Sequence, residues 1–478
     1  NIFATAIATD DLKIDFNTIS TTTPNTNIEL RPDASSVSLL HTLDNPNAYD
    51  TSYNDRFGNS IAVSGDYAIV GAFFEDELGL NDAGKAYIYN AISGALLHTL
   101  DNPDDYASSA GDWFGNSVAI SGNYAIVGAQ REDDAGGSGS GKAYIFNVTS
   151  GALVHTLDNP NAYGTSAGDT FGGTVAIDGN LAIVGAYLED DAGGLSSGKA
   201  YIFNVTSGAL VHTLDNPNAY GTSEDDKFGN SIAISGNYAI VGASSEDDAG
   251  GSGSGKAYIF NVTSGALVHT LDNPNDYGTS AVDVFGYSVA ISGNYAIVSA
   301  YREDDAGGTR SGKAYIFNVT SGALVHTLDN PNAYGTSTDD FFGNSVAISS
   351  DYAVVGASIE DDASINNRSG KAYIFDVTTG NLLQTLDNPN AYGTSTEDFF
   401  GRSVAISGNV VIISALESDA GYGSNGANSG KAYVFKANQQ FGTVNINSDW
   451  NITGSLHATG NIQTVGDFTF GSGDEDNV

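Results

Sequence analysis

The dipeptide Phe-Gly recurs at Phe57, Phe114, Phe171, Phe228, Phe285, Phe342 and Phe400, spaced 57 residues apart except for a last interval of 58. Self-similarity at a fixed period of this length overrides other priors, because it makes the fold an array of one supersecondary unit. Each copy runs through the same series. A block such as FGNSVAISGNYAIVGA precedes an acidic, Gly-rich loop such as EDDAGGSGSG. KAYIFNVTSG and ALVHTLDNP follow, and a polar stretch leads to the next Phe-Gly.

Four short apolar runs in each unit read as strands. SVAIS and YAIVGA are separated by Gly122 and Asn123 in the second unit, a two-residue hairpin signal because both residue types tolerate positive φ. KAYIFNV is rich in aromatic and β-branched residues, and a Thr-Ser-Gly turn divides it from ALVHTL. Along KAYIFNV, Tyr144, Phe146 and Val148 point one way while Ala143 and Ile145 point the other. Both faces are apolar, so both must be covered. Four strands per repeat make the blade of a β-propeller, and blades stacked face to face cover both sides. A parallel β-helix needs much shorter rungs, and a unit of ~57 residues without a staple is marginal as an independent domain.

The closure is readable from where the repeat starts and stops. Ser38 to Pro46 is a copy of the fourth strand lying before the first Phe-Gly, and after the last Phe-Gly only three strands follow, ending at Lys431 to Lys436. The expected fold is therefore all-β: a seven-bladed propeller over 36–437, closed by its N-terminal strand, with SVAIS-type strands innermost and ALVHTL-type strands outermost. Residues 1–35 and 438–478 are expected to form β-rich flanks.

The charge balance narrows the partners. With 17 basic and 57 acidic residues the net charge is −40, which repels nucleic acid and anionic membranes and favours cations or cationic patches. No cysteine is present, so neither a disulfide framework nor a thiolate metal site is available. No apolar run reaches membrane-spanning length. Methionine is absent even at position 1, which reads as a processed chain or part of a longer one.

The run from Phe-Gly through a hairpin into Val-Gly-Ala resembles the FG-GAP repeat family, whose seven-bladed propellers form integrin α-subunit heads and many bacterial and viral surface proteins. The likeness covers Phe57 to Phe435, with Val-Gly-Ala in five units and Val298-Ser299-Ala300 and Ile413-Ser414-Ala415 in the others. One departure matters. The integrin-like repeat carries a calcium loop of alternating carboxylates where this chain has only Gly-Asn or its equivalent, so that site does not carry over. The flanks, among them LKIDFNTISTTTPNTNIELRPD and VNINSDWNITGSLHATGNIQ, resemble shaft repeats of tailed-phage fibres and other virion structural proteins. That resemblance implies a homotrimeric shaft with the propeller inserted into it.

Several motifs invite a chemical reading. Gly136 to Ala143 has the spacing of a phosphate-binding loop up to Lys142, but Ala143 stands where Ser or Thr should bind magnesium, and a strand rather than a helix follows. Acidic clusters begin at Glu75, Glu132, Glu189, Glu246, Glu303, Glu360 and Glu417, each followed by a lysine (Lys85, Lys142, Lys199, Lys256, Lys313, Lys371, Lys431). These loops could gather calcium, but they lack the spacing of a calcium loop. A surface turn with charge-offsetting lysines is the simpler expectation. His41, His98, His155, His212, His269 and His326 hold one repeated place, taken by Gln384 in the seventh copy, and lie too far apart to share a metal. Asn-Val-Thr at Asn147, Asn204, Asn261 and Asn318 fits the glycosylation acceptor but simply recurs with the repeat. No catalytic, cofactor or metal residues stand out. The expectation is a non-enzymatic virion structural protein of the tail-fibre or decoration type, binding other virion proteins and a host-surface glycan or protein. A bacterial cell-surface adhesin and a glycan-degrading tailspike are the alternatives.

Overall fold

Each repeat folds into the four strands that its apolar runs mark out. In the second blade these are Phe114–Ser121, Tyr124–Ala129, Lys142–Asn147 and Leu153–Asp158, paired antiparallel in that order. The computed structural model describes residues 12–15, 18–21, 37–46, 54–76, 81–103, 110–134, 137–161, 166–191, 194–217, 224–247, 251–274, 281–304, 308–331, 338–361, 368–389, 397–417, 429–437 and 451–452. Among them every regular element is a strand. Seven four-stranded sheets follow one another along Val37–Ala437, which forms one compact unit, and the two flanks form another.

The first strand of each blade touches that of the next, and Phe400–Ser407 of blade 7 touches Ile61–Ser64 of blade 1. The sheets thus form a closed ring with their first strands innermost. Blade 7 takes Val37–Asp44 as its outermost strand, with Leu43 opposite Ala432 and Asp44 opposite Lys431. The closure expected from Ser38 to Pro46 is the one observed. In the flank unit, Leu12–Asp15 runs antiparallel to Thr18–Thr21, which pairs in parallel with Asn451–Ile452. Strands from the two ends of the chain therefore share one sheet.

The core lies between blades. Ile69, Ala86, Ile88 and Leu100 from one face of blade 1 pack with Phe114, Val118, Val127, Tyr144 and Phe146 from the opposite face of blade 2. The last core joins Ile412, Ala432 and Val434 of blade 7 to Phe57, Val70 and Tyr87 of blade 1. Each Phe of Phe-Gly is fully buried, with Phe114 meeting Tyr144 at 5.9 Å and Phe146 edge-on at 6.1 Å. Complete burial of such a side chain contributes on the order of 2–3 kcal/mol.

The glycines of the motif set the spacing between blades. A Cβ on Gly71 of the Val-Gly-Ala run would stand 2.0 Å from the carbonyl oxygen of Gly115, the Phe-Gly glycine of the next blade. Where Ser299 replaces the first of these glycines, its hydroxyl accepts the Ser288 N–H at 3.1 Å. Side chains also stitch the innermost strands together. The Ser60, Ser117, Ser288 and Ser345 hydroxyls accept the N–H of Val118, Val175, Val346 and Val404 in the following blade at 3.0–3.1 Å.

The hairpin turns differ in detail from the expectation. Gly122 has φ +54 but Asn123 stays out of the positive region, the pattern of a type II′ turn in which only the first residue needs that freedom. Blade 6 has Ser350 and Asp351 there instead, neither with positive φ, and its first strand ends early at Ile348. On the rim, every outermost ladder slips by one residue, as between Ile145 and Phe146. Such bulges disrupt a sheet edge that would otherwise template pairing with another chain.

Candidate binding face

Strand direction gives the ring two unlike ends. One end holds the tight turns between first and second strands and between third and fourth. The other gathers the start of each first strand, the loop between second and third strands, and the connection to the next blade. The turn end keeps the repeat almost unchanged. The Asn147 side-chain oxygen accepts the N–H of Thr149 at 3.1 Å and of Ser150 at 2.9 Å, an Asx turn repeated at Asn261 and Asn318. The Asn-Val-Thr triplets thus have a structural use.

The histidines clip the turn end of one blade to the rim of the one before. His98 Nε2 lies 3.1 Å from the Thr149 carbonyl oxygen of the next blade, with equivalent contacts from His41, His155, His212, His269 and His326. Gln384 breaks the series for a topological reason. Its neighbour is blade 7, whose third and fourth strands come from opposite ends of the chain, so no turn joins them there. Gln384 donates to the Thr385 carbonyl instead.

At the loop end the acidic clusters are not the simple surface turns expected. Glu75, Glu132, Glu189, Glu246, Glu303 and Glu360 are fully buried and accept a hydrogen bond from the hydroxyls of Tyr87, Tyr144, Tyr201, Tyr258, Tyr315 and Tyr373 at 2.5–2.7 Å. Only the carboxylates behind them, such as Asp76 and Asp247, reach solvent. In blade 7 the series lapses, and Glu417 pairs with Arg56 of blade 1 at 3.6 Å. The lysines do not pair chiefly with these loops. Lys85, Lys199, Lys256, Lys313, Lys371 and Lys431 bind the aspartate that ends the outermost strand: Asp101, Asp215, Asp272, Asp329, Asp387 and Asp44. Lys142 is the exception, turning inward to Glu132 at 3.2 Å.

A third carboxylate completes each blade. Asp55, Asp112, Asp169, Asp226, Asp283, Asp340 and Asp398, two residues before each Phe-Gly phenylalanine, are buried and accept the amide of Asn45, Asn102, Asn159, Asn216, Asn273, Asn330 and Asn388. Burial is the main cause that pushes the carboxyls of Glu75, Glu189, Glu246, Glu303 and Glu360 up to about 8, with the tyrosine hydrogen bond pulling the other way. Those groups are held as neutral acids at pH 7. Neutral, hydrogen-bonded carboxyls are poor ligands for a hard cation. Among the described residues no cluster of three His, Cys, Asp or Glu side chains is set to hold a metal. Lys142, the lysine of the phosphate-loop-like run, opens a strand and pairs with carboxylates.

What varies is the skin of the loop end. The residue before each Phe-Gly is Arg56, Trp113, Thr170, Lys227, Val284, Phe341 or Phe399, all at positive φ between 54° and 60°. The residues after Val-Gly-Ala vary equally, from Phe73-Phe74 to Gln130-Arg131 and Tyr301-Arg302. These departures assemble into two aromatic–arginine clusters. In the first, Trp113 meets Phe73 at 5.5 Å and Phe74 at 5.4 Å, and the Arg131 guanidinium lies 3.4 Å over the indole. In the second, Tyr301 meets Tyr287 at 4.2 Å and Phe341 at 5.2 Å, with Arg302 over Tyr301 at 5.3 Å and Arg310 over Phe341 at 5.9 Å. Sequence reasoning missed both. Their signal was present as departures from an otherwise constant repeat, but they gather only once the ring forms.

The comparison with known families agrees with this architecture blade by blade. The sequence model of the FG-GAP repeat matches residues 47–89, 104–146, 161–203, 218–260, 276–317, 332–375 and 390–435, well over half of the chain. No curated protein matches it.

Proposed function

The chain belongs to the FG-GAP repeat family, and we propose that it is a non-enzymatic adhesion module that meets its ligand with the loop end of the ring. The observation that carries this reading is the distribution of departures from the repeat. The turn end and the core stay near-identical from blade to blade, whereas the loop end varies and collects exposed arginines and aromatic rings. Aromatic residues and arginine are the side chains enriched at recognition surfaces. A family of propellers hosts many tasks, so this face, and not the fold, points to the role.

The finer form of the proposal places the module in a tail-fibre or decoration-type protein of a phage particle, in contact with other virion proteins and with a host-surface glycan or protein. The fibre-like composition of the flanks supports it, as does their pairing in one sheet, and a homotrimeric shaft follows from the same resemblance. The acidic chain would avoid nucleic acid and lipid headgroups. The test is surface binding of the purified, fluorescently labelled chain to candidate host cells. It is compared with a variant in which Arg131, Arg302 and Trp113 are replaced by serine. Binding by the parent and its loss in the variant support the reading. Equal binding by both overturns the assignment of the face, and release of oligosaccharides from host polysaccharide overturns the non-enzymatic role.

A further inference from the structure

We infer that the cleft between blades 2 and 3 beside Arg131 is a subsite for an acidic sugar, a hexuronate unit of a longer saccharide. This inference deepens the adhesion reading and rests on it. The cleft has a volume of about 440 Å³ and is lined by Gln130, Arg131, Asp133, Ser138, Gly139 and Thr170 among others. That size falls within the range of small-ligand sites.

Two carboxylates, Asp112 and Asp133, share the cleft with one cation, Arg131, which stands apart from most basic residues of this chain. Of the 17 basic residues, seven are the repeated lysines tied to carboxylates. Arg56, Arg310 and Arg368 pair with Glu417, Asp339 and Glu397 across blade boundaries. Arg131 is exposed, and no carboxylate among the described residues forms an ion pair with it. Its guanidinium instead lies over the Trp113 ring at 3.4 Å, and Phe73 and Phe74 brace that ring from the edge. A guanidinium stacked in this way loses little freedom on binding and keeps its planar fork of donors for a carboxylate.

The rest of the lining offers hydrogen-bonding groups that suit the hydroxyls of a sugar. Gln130 receives the Tyr187 hydroxyl on its oxygen at 3.3 Å, which leaves its amide nitrogen to donate. Asp133 accepts the Gly139 N–H at 2.8 Å with one oxygen, which leaves the other to accept. Ser138 is exposed, and a Cβ on Gly139 would meet nothing nearer than the Gly168 backbone at 3.9 Å, so the cleft floor here is backbone without side-chain cover. Mixed donors and acceptors beside an aromatic cluster suit a polyhydroxylated ring.

The experiment uses the whole chain with a Trp450→Phe substitution, so that Trp113 is the remaining tryptophan and its emission reports on the Arg131 stack. Trigalacturonate is titrated against the neutral probe galactotriose. Saturable change in emission with trigalacturonate, none with galactotriose, and affinity lowered about tenfold or more in Arg131→Lys and Arg131→Ala support the proposal. Thermal melts of both variants confirm that they fold. Equal response to the two sugars, or unchanged affinity in Arg131→Ala, overturns it. If trigalacturonate fails to bind while the labelled chain still decorates cells, the acidic-sugar subsite is refuted and the adhesion reading stands. If neither binds, both fall.

Discussion

Replacing a buried glutamate of the blades by glutamine should stabilise the ring at alkaline pH. Glu303 is one such site, fully buried and hydrogen-bonded by the Tyr315 hydroxyl at 2.7 Å. Its carboxyl is pushed up to about 8 from the ordinary 4.5, chiefly by burial. A carboxyl raised in this way contributes stability that is complete below pH 4.5 and is lost as pH rises through 8. The ceiling on that loss is about 5 kcal/mol per site, at roughly 1.4 kcal/mol per pH unit. Glu75, Glu189, Glu246 and Glu360 share the same position and direction. Ionising several of these groups together should therefore weaken the closed ring as pH rises. Circular-dichroism melts at pH 5 and pH 9 should show the parent protein losing stability with rising pH. Glu303→Gln should melt within a few degrees of the parent at pH 5 and clearly above it at pH 9. Glu132→Gln is the internal control. Because Glu132 pairs with the buried Lys142, its loss should destabilise at both pH values. A melting temperature independent of pH in the parent, or the same penalty from Glu303→Gln at both pH values, would refute the reasoning.

His98→Ala removes one interblade hydrogen bond and should cost about 1 kcal/mol in chemical denaturation, whereas Gln384→His should change nothing, having no turn to reach. Gly151→Ala should cost more than His98→Ala, because its Cβ would stand 2.8 Å from the His98 ring at a backbone φ of +69°. Val284→Gly should raise stability by about 1 kcal/mol, since a β-branched residue at φ +55° is strained; a lowered denaturation midpoint would count against that. Deletion of residues 1–44 removes the closing strand and should yield a chain that self-associates in size-exclusion chromatography, while a monomer of unchanged stability would show that closure is dispensable.

The ring was legible because repetition amplifies weak local signals. One copy of YAIVGA is ambiguous, but seven copies in a fixed series with a displaced fourth strand leave one closed solution. Gln384 shows the limit of that logic. The letter was visible as an exception, yet its cause lies in a turn missing from the neighbouring blade, which only the closure explains. The buried glutamates were hidden for a different reason. In Glu-Asp-Asp the three carboxylates look equally solvated, and nothing local says that the first turns under the loop to a tyrosine twelve residues on. The constant spacing from Glu132 to Tyr144 and from Glu189 to Tyr201 was the available clue. Arg131 and Trp113 were hidden as a pair because they lie in different loops that meet only across the blade.

The closing joint also has a mechanical character. Val37 and Ala437 are register partners in an antiparallel ladder, so tension that draws the two flanks apart loads that ladder from one end. Its bonds would part singly, as a zip does. The parallel pairing of Thr18 with Asn451 and Ile19 with Ile452 meets the same tension differently. There the two segments are drawn along each other, and all of their bonds share the load. A pull on both flanks is therefore borne first in shear, and the joint that keeps the propeller closed is relieved of the force it is least able to resist.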